Sequence, residues 1–181
     1  MLNFFYVFDT DNDLSRARLL TAIDDGAASP TPAIVDYDVM EDHSDGDVRS
    51  WIDAQLATTS CLVVLIGEHT SEKHWVKYAI GMARQLEKPM IGVTIDKLND
   101  GDGRQGAIGS NPFASAGMTA RALSSLEIYD PPFATSAFAR AHIRYGLPDW
   151  VELAVKEQLW RSDSRTRRFD RREQTRHEDA S

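Results

Sequence analysis

Several features that would assign a protein to a familiar class are scarce in this sequence. It holds one cysteine, Cys61, so no disulfide can form within the chain, and we expect a reduced thiol in the core. The longest apolar runs, around 61–66 and 90–95, are far shorter than the roughly 20 residues that cross a membrane. No basic stretch precedes an apolar segment at the amino terminus, so no signal peptide is predicted. These absences predict a cytoplasmic protein without a membrane partner.

Positive charge is also in short supply. The 181 residues carry 20 basic and 28 acidic side chains, a net charge of −8. Seven arginines and five acids fall in residues 161–181, which leaves a net charge of −10 for residues 1–160. A body that acidic is a poor partner for a phosphate backbone, so we predict no nucleic-acid partner. We divide the chain into one domain, 1–160, and a charged, mobile tail, 161–181. The tail is interpreted as a frayed, solvated segment or an extension of the last helix, with a small anion-binding patch as the alternative.

Patterns for metals and cofactors are weak. The five histidines do not cluster, and His69 and His74 are five residues apart, a spacing that does not align two ligands on one helix face. Gly101–Gly106 matches the G-x-G-x-x-G pattern, but it lies well beyond a strand and no helical periodicity follows, so we interpret it as a flexible loop. We therefore predict no metal site and no tightly bound cofactor.

What the sequence does contain is an alternation of strands and helices. Five apolar segments are predicted as strands, at 3–8, 33–37, 60–67, 90–95 and 126–129. Apolar residues at helical spacing predict helices around 14–23, 48–56, 75–86 and 148–160, and the segment 97–125 is predicted as a loop. This order predicts a doubly wound, mostly parallel α/β sheet of about five strands with flanking helices. Its functional cleft is expected at the carboxyl ends of the strands.

Acidic and aromatic residues lie at those expected strand ends. Asp9, Asp11 and Asp13 follow the first strand, and we assign Asp13 as the cap of the first helix. Trp75 and Tyr78 open the helix that follows the 60–67 strand, so they border the expected cleft, with core packing as the alternative. By periodicity alone, Ala79 is a small core residue.

These segments, in their order and spacing, resemble the TIR-like domains of bacterial Thoeris antiphage systems over roughly residues 3–130. The matching segments are Phe8-Asp9, Val35-Asp36-Tyr37, Trp51-Ile52 through Leu56 and Ser60, Val63–Gly67 with Thr70, Trp75–Tyr78, Pro89–Val93, and Gly109–Phe113. The last of them is similar to the family's Gly-x-Asn-Pro-Phe loop. The resemblance implies a flavodoxin-like fold that cleaves the nicotinamide–ribose bond of its substrate NAD. The ADP-ribose-derived product would activate a separate effector protein.

The resemblance also implies site residues. Phe8 and Asp9 would line the nicotinamide-ribose side of the pocket, and Asp36 would stand at the end of the second strand. Asn111 would hydrogen-bond the ribose or a phosphate, with turn chemistry before Pro112 as the alternative. Trp75 and Tyr78 would border the pocket. Core packing is the alternative for these two residues and for Phe8.

At residue 79 the sequence departs from the family's pattern. The family has its catalytic glutamate directly after the tyrosine of the Trp-Val-x-Tyr segment, and this chain has Ala79 there. A methyl group cannot stabilise the developing oxocarbenium ion, so we expect this chain to be nearly inactive. Glu68 or Glu72 could substitute only if their loop folds back. The alanine is explained either by deliberate replacement in an active parent or by a natural protein that binds without turnover.

Two other classes of function stay open. One is a non-enzymatic interaction module that associates through helix faces, including as a homo-oligomer, or through the arginine-bearing tail. The other is a nucleoside-processing glycosyl transferase of related architecture. A rise in melting temperature with NAD would argue against the first class, and stabilisation by free nucleosides rather than NAD would favour the second.

Overall fold

The computed structural model of the chain describes residues 3–21 and 44–178, with side chains described for residues 3–20 and 44–164. The strands are β1 (Phe4–Val7), β2 (Cys61–Ile66), β3 (Met90–Thr94) and β4 (Ile128–Tyr129). The helices are α1 (Thr10–Thr21), α2 (Asp45–Thr58), α3 (His74–Gln85), α4 (Pro112–Ser115), α5 (Ala120–Leu123) and α6 (Ser136–Glu178). A 3-10 turn, Thr70–Glu72, precedes α3. The predicted strand at 33–37 lies outside the described residues.

The sheet is parallel throughout the described part of the chain. Its strand order is β1-β2-β3-β4, with Phe4 opposite Cys61 and Leu62 opposite Met90. Every residue of β1 and β2 is buried, as expected when helices cover both faces of a parallel sheet. The predicted α/β class with a parallel sheet and flanking helices is confirmed, and four of its strands are described.

Alternate side chains of β1 and of Phe8, the residue that follows it, enter two separate apolar layers. Phe4, Tyr6 and Phe8 pack in the layer formed with α1 and α6, whereas Phe5 and Val7 pack in the layer formed with α2 and α3. Because both faces of the sheet are covered, the loops at the strand ends are the places where polar groups can converge.

Cys61 occupies the first of these layers. The residue is fully buried, and burial raises the pKa of its thiol to about 12. The thiol is therefore protonated at neutral pH, as expected for a core residue rather than a nucleophile.

Helix α6 is longer than the sequence predicts. The predicted start at Pro148 is wrong, because the helix begins at Ser136 and holds this proline in its interior. An internal proline weakens a helix, but residues on both sides of it are buried against the sheet at four-residue spacing: Ala139, Ile143, Leu147 and Val151. The helix continues past residue 160. Neither it nor any other helix in the described ranges is apolar enough to span a membrane.

The predicted loop at 97–125 contains two short helices, α4 and α5. Each has four residues and a capping side chain, Asn111 for α4 and Thr119 for α5. A helix of one turn is too short to show a hydrophobic period, so the sequence pattern could not reveal it.

Candidate functional site

Asp9 lies where β1 ends and α1 begins. Its buried carboxylate accepts hydrogen bonds from the backbone N–H groups of Asp11 (3.0 Å) and Asn12 (3.3 Å) and from Asn12 Nδ2 (2.7 Å). Its backbone carbonyl accepts the N–H of Asp13 at 2.8 Å. Asp9 is therefore the N-cap of α1, and the assignment of that cap to Asp13 is wrong because Asp13 lies one turn further along the helix.

Lys73 joins the loop after β2 to the loop after β1. Its Nζ lies 2.6 Å from Asp11 Oδ2 and 3.1 Å from Asp9 Oδ1. These contacts, led by the hydrogen bond to Asp11, raise the pKa of Lys73. The side chains of Lys73 and Asp11 are 30% and 67% exposed, whereas that of Asp9 is fully buried. A ligand at this edge of the sheet would therefore meet an ammonium group beside a carboxylate, a pair that suits phosphate oxygens and hydroxyl groups.

A second charged network surrounds Arg16, a buried residue of α1. Its Nη1 lies 2.8 Å from Asp13 Oδ1, its Nε donates to the carbonyl of Leu98 (2.9 Å), and its Nη2 donates to that of Arg104 (3.1 Å). The guanidinium thus holds the segment after β3 against α1. The sequence analysis missed this network, since Arg16 and Leu98 are 82 residues apart and no local pattern joins them.

Two acids after β2 stay at the surface. Glu68 and Glu72 have side chains that are 53% and 72% exposed, and they flank His69 at 3.9 and 3.6 Å. Both carboxylates therefore lie at the surface, and neither turns into the interior.

Ala79 is fully buried on the inner face of α3. It belongs to the apolar layer of α2 and α3, together with Val76, Ile80 and Phe113. This is the environment that its periodicity predicts. A larger, charged side chain at this position would have to extend out of the layer or be buried without water.

The two aromatic residues at the start of α3 lie toward α2. The Tyr78 hydroxyl donates to Asp53 Oδ1 at 2.8 Å, and the Arg49 guanidinium lies 5.2 Å from the centre of the Tyr78 ring. Trp75 meets Tyr78 edge-on, with ring centres 5.7 Å apart. Burial, followed by the hydrogen bond to Asp53, raises the pKa of Tyr78. These contacts join two helices on one face of the sheet and include none of the charged groups around Asp9.

The Gly-x-Asn-Pro-Phe segment lies over the end of β2. A Cβ at Gly109 would overlap the carbonyl oxygen of Gly67, so the two backbones are in direct contact. Asn111 Oδ1 accepts the N–H groups of Phe113 (2.9 Å) and Ala114 (3.3 Å), which is the turn chemistry considered for this residue. Phe113 is fully buried and anchors the segment in the core.

The predicted site residues are therefore only partly brought together. Asp9 lies at the carboxyl edge with Lys73, and the loop of Asn111 reaches the same edge through Gly109. Phe8 is buried in the layer of α1 and α6. Asp36 lies outside the described residues. In the described ranges no three His, Cys, Asp or Glu side chains are grouped as a metal site.

A groove of about 620 Å³ lies at the opposite end of the sheet, between α5 and α6. Its lining includes Met90 at the start of β3 and Leu126 before β4, and Arg161 donates to the carbonyl of Ser125 at 3.2 Å on its rim. Open parallel sheets bind their ligands at the carboxyl ends of the strands, not at this end. The candidate site is therefore the edge that carries Asp9, Lys73 and Gly67.

A family model of the TIR-like domain of the Thoeris protein ThsB matches residues 5–100, which is more than half of the chain. The chain belongs to the Thoeris ThsB TIR-like domain family. A protein of Bacillus cereus (strain MSX-D12) named "Putative cyclic ADP-D-ribose synthase ThsB1" is 30% identical over 110 residues. The aligned part covers 59% of this chain and 55% of that relative, so the chain spans about half the relative's length.

The match to the ThsB TIR-like domain confirms the family predicted from the sequence. It runs from β1 to just beyond β3, so it includes Asp9, Lys73 and Ala79 and ends before Asn111. The catalytic meaning of Ala79 stays a prediction.

Proposed function

We propose that this chain is the TIR-like, NAD-processing domain of an antiphage defence system. Its substrate is NAD, bound at the carboxyl ends of β1 and β2, with no tightly bound cofactor. The reaction cleaves the nicotinamide–ribose bond and yields an ADP-ribose-derived signalling nucleotide that activates an effector protein. The observation that carries this proposal is membership of the ThsB TIR-like family, supported by a relative whose name describes cyclic ADP-ribose synthesis.

The chemistry makes one main demand on the protein. Nicotinamide leaves from a cationic glycosidic bond, so it needs no proton from a general acid. Positive charge develops on the ribose, and a carboxylate held nearby stabilises it. Loss of one such preorganised group typically slows a reaction by roughly 100- to 1,000-fold. With a methyl group at Ala79, this chain turns NAD over slowly or not at all.

The exposed charges of the site support binding of a dinucleotide even without turnover. Lys73 offers an ammonium group to a phosphate, and Asp11 beside it offers a carboxylate to a hydroxyl. Asp9 has a positioning role, because its carboxylate oxygens already accept hydrogen bonds from the first turn of α1 and form an ion pair with Lys73.

The decisive experiment compares three chains for NAD consumption, by chromatography and mass spectrometry, with and without phage-infected lysate. They are the unchanged chain, Ala79→Glu, and Ala79→Gln as a control of equal size without charge. We expect Ala79→Glu to consume NAD about 100- to 1,000-fold faster than the other two, and the product mass to identify the signal. Thermal melts show whether each variant is folded. If folded Ala79→Glu is as slow as Ala79→Gln in every lysate, the proposed reaction is wrong.

The placement of Ala79 in an apolar layer also favours a second candidate, a non-catalytic nucleotide- or protein-binding scaffold. A nucleotide-binding scaffold shows a rise in melting temperature with NAD and no consumption by any residue-79 variant. A protein-binding scaffold shows neither effect. The same samples therefore separate these alternatives from the enzyme.

A further inference from the structure

One buried carboxylate oxygen in the described structure has no hydrogen-bond partner. Asp13 is 2% exposed, and its Oδ1 pairs with Arg16 Nη1 at 2.8 Å, but its Oδ2 accepts nothing among the described residues. Buried polar groups in folded proteins are hydrogen-bonded in the great majority of cases, so an orphaned carboxylate oxygen requires an explanation.

The orphaned oxygen faces the candidate site. It lies against Gly67, the residue after β2, and a Cβ at that position would overlap it. Gly67 is also the residue on which the Gly109 backbone rests. Asp13 Oδ2 is thus packed against the first residue after β2, at the carboxyl edge of the sheet.

The surroundings of Asp13 make its charge costly in the ligand-free protein. Burial raises the pKa of its carboxyl group, Arg16 opposes that rise, the Asp9 charge adds to it, and His69 lowers it. A buried titratable group with a perturbed pKa beside a candidate site is a frequent mark of a functional position.

We propose that Asp13 Oδ2 accepts a hydrogen bond from a ribose hydroxyl of the nucleotide bound at this edge of the sheet, an inference that rests on the proposed function. A neutral hydroxyl donor fits better than a second cation, because the Arg16 guanidinium already lies 2.8 Å from the other oxygen of the same carboxylate. A hydroxyl bond to a charged acceptor would also repay the desolvation of the oxygen.

Access to this oxygen requires a movement of the neighbouring loop. Asp13 is 2% exposed and Gly67 packs directly on Oδ2, so the chain around Gly67 has to shift before a hydroxyl group reaches this oxygen.

The test is Asp13→Asn, with Asp100→Asn as the matched control. The amide of the new side chain keeps an oxygen that can accept from Arg16, but its NH₂ group replaces the unpaired acceptor with a donor. Asp100 serves as the control because it is the other acid near Arg16, with Oδ2 3.6 Å from Nη2, and its side chain is more exposed. Affinities for NAD and ADP-ribose are measured by calorimetry, and stability by thermal unfolding. We expect Asp13→Asn to bind both ligands about 10- to 100-fold more weakly and to melt at the same or a higher temperature without ligand. Asp100→Asn should bind as the unchanged chain does.

The pH dependence of stability gives a second readout. Because burial raises the Asp13 pKa above its ordinary value of 3.8, the folded state binds this proton more tightly than the unfolded chain. Ionised Asp13 therefore lowers the free energy of unfolding by its full amount at pH values above the pKa of Asp13 in the folded protein. This loss of stability shrinks as the pH falls from that pKa toward 3.8. The stability advantage of Asp13→Asn should be largest at neutral pH and shrink in that window. The opposite result is an Asp13→Asn chain that is less stable than the unchanged chain at neutral pH and binds more weakly only because less of it is folded. Asp13 would then be a structural partner of Arg16, and the inference would be overturned.

A third measurement does not depend on the variant being folded. NAD analogues that each lack one ribose hydroxyl are titrated into the unchanged chain, and one of them should bind about 10- to 100-fold more weakly than NAD. Equal affinity for all analogues overturns the inference while leaving the proposed function intact. No binding of NAD or ADP-ribose by the unchanged chain overturns the proposed function and the inference together.

Discussion

At the scale of single residues, three aspartates that look alike in sequence have different environments. Asp9 is buried and caps α1, Asp11 is exposed and pairs with Lys73, and Asp13 is buried beside Arg16 with one oxygen unpaired. Their alternation after β1 does not show which one caps the helix. That choice depends on where β1 ends against β2, which is a tertiary property.

The cap assigned to Asp9 leads to a prediction on stability. Asp9→Ala removes the acceptor for two backbone N–H groups and for Lys73, so we expect a loss of about 2 kcal/mol in the free energy of unfolding. Asp9→Asn retains a capping oxygen and loses mainly the charge, so it should lose about half as much. Urea unfolding followed by circular dichroism measures both. An Asp9→Ala chain as stable as the unchanged one would contradict the cap.

At the scale of elements, the indole ring of Trp150 packs over the backbone of α6 at Gly146. A Cβ at Gly146 would overlap the Trp150 indole, and this indole stacks on Tyr129 with ring centres 4.1 Å apart and planes within 6°. Alanine is the better helix former by about 1 kcal/mol, yet Gly146→Ala should destabilise the protein by about 1 to 3 kcal/mol, because the stack must shift.

The control for this prediction is Gly81→Ala in α3. Apart from the backbone of its own helix, nothing among the described residues lies within 4 Å of a Cβ at Gly81, so helix propensity acts alone and stability should rise by about 0.5 to 1 kcal/mol. Chemical denaturation gives both values, and the near-ultraviolet dichroism, to which Trp150 contributes, should change only in Gly146→Ala. Equal effects of the two substitutions would mean that the Trp150 stack adapts without cost.

Elements with a strong local signature could be predicted, and those fixed by distant contacts could not. Strand β2 is a continuous apolar run because both faces of the sheet are covered, and this run is visible in the sequence. The start of α6 was misplaced because Pro148 suggests a boundary, although the buried stripe from Ala139 to Val151 passes through it. Within the site, Lys73 and Arg16 were missed because their partners come from separate loops.

At the scale of the whole molecule, the domain body and the tail can be separated by experiment. The last residues of α6 that pack on the sheet layers are Ala154 and Val155, and Arg161 makes a further contact with Ser125. A chain ending at Ser164 keeps all of these contacts. We therefore expect it to match the full chain within about 0.5 kcal/mol in urea unfolding, the usual spread for changes at the surface. A chain ending at Arg144 loses the buried Leu147 and Val151 and should not fold. If the chain ending at Ser164 loses more than about 1 kcal/mol, residues 165–181 are part of the domain and the predicted boundary near residue 160 is wrong.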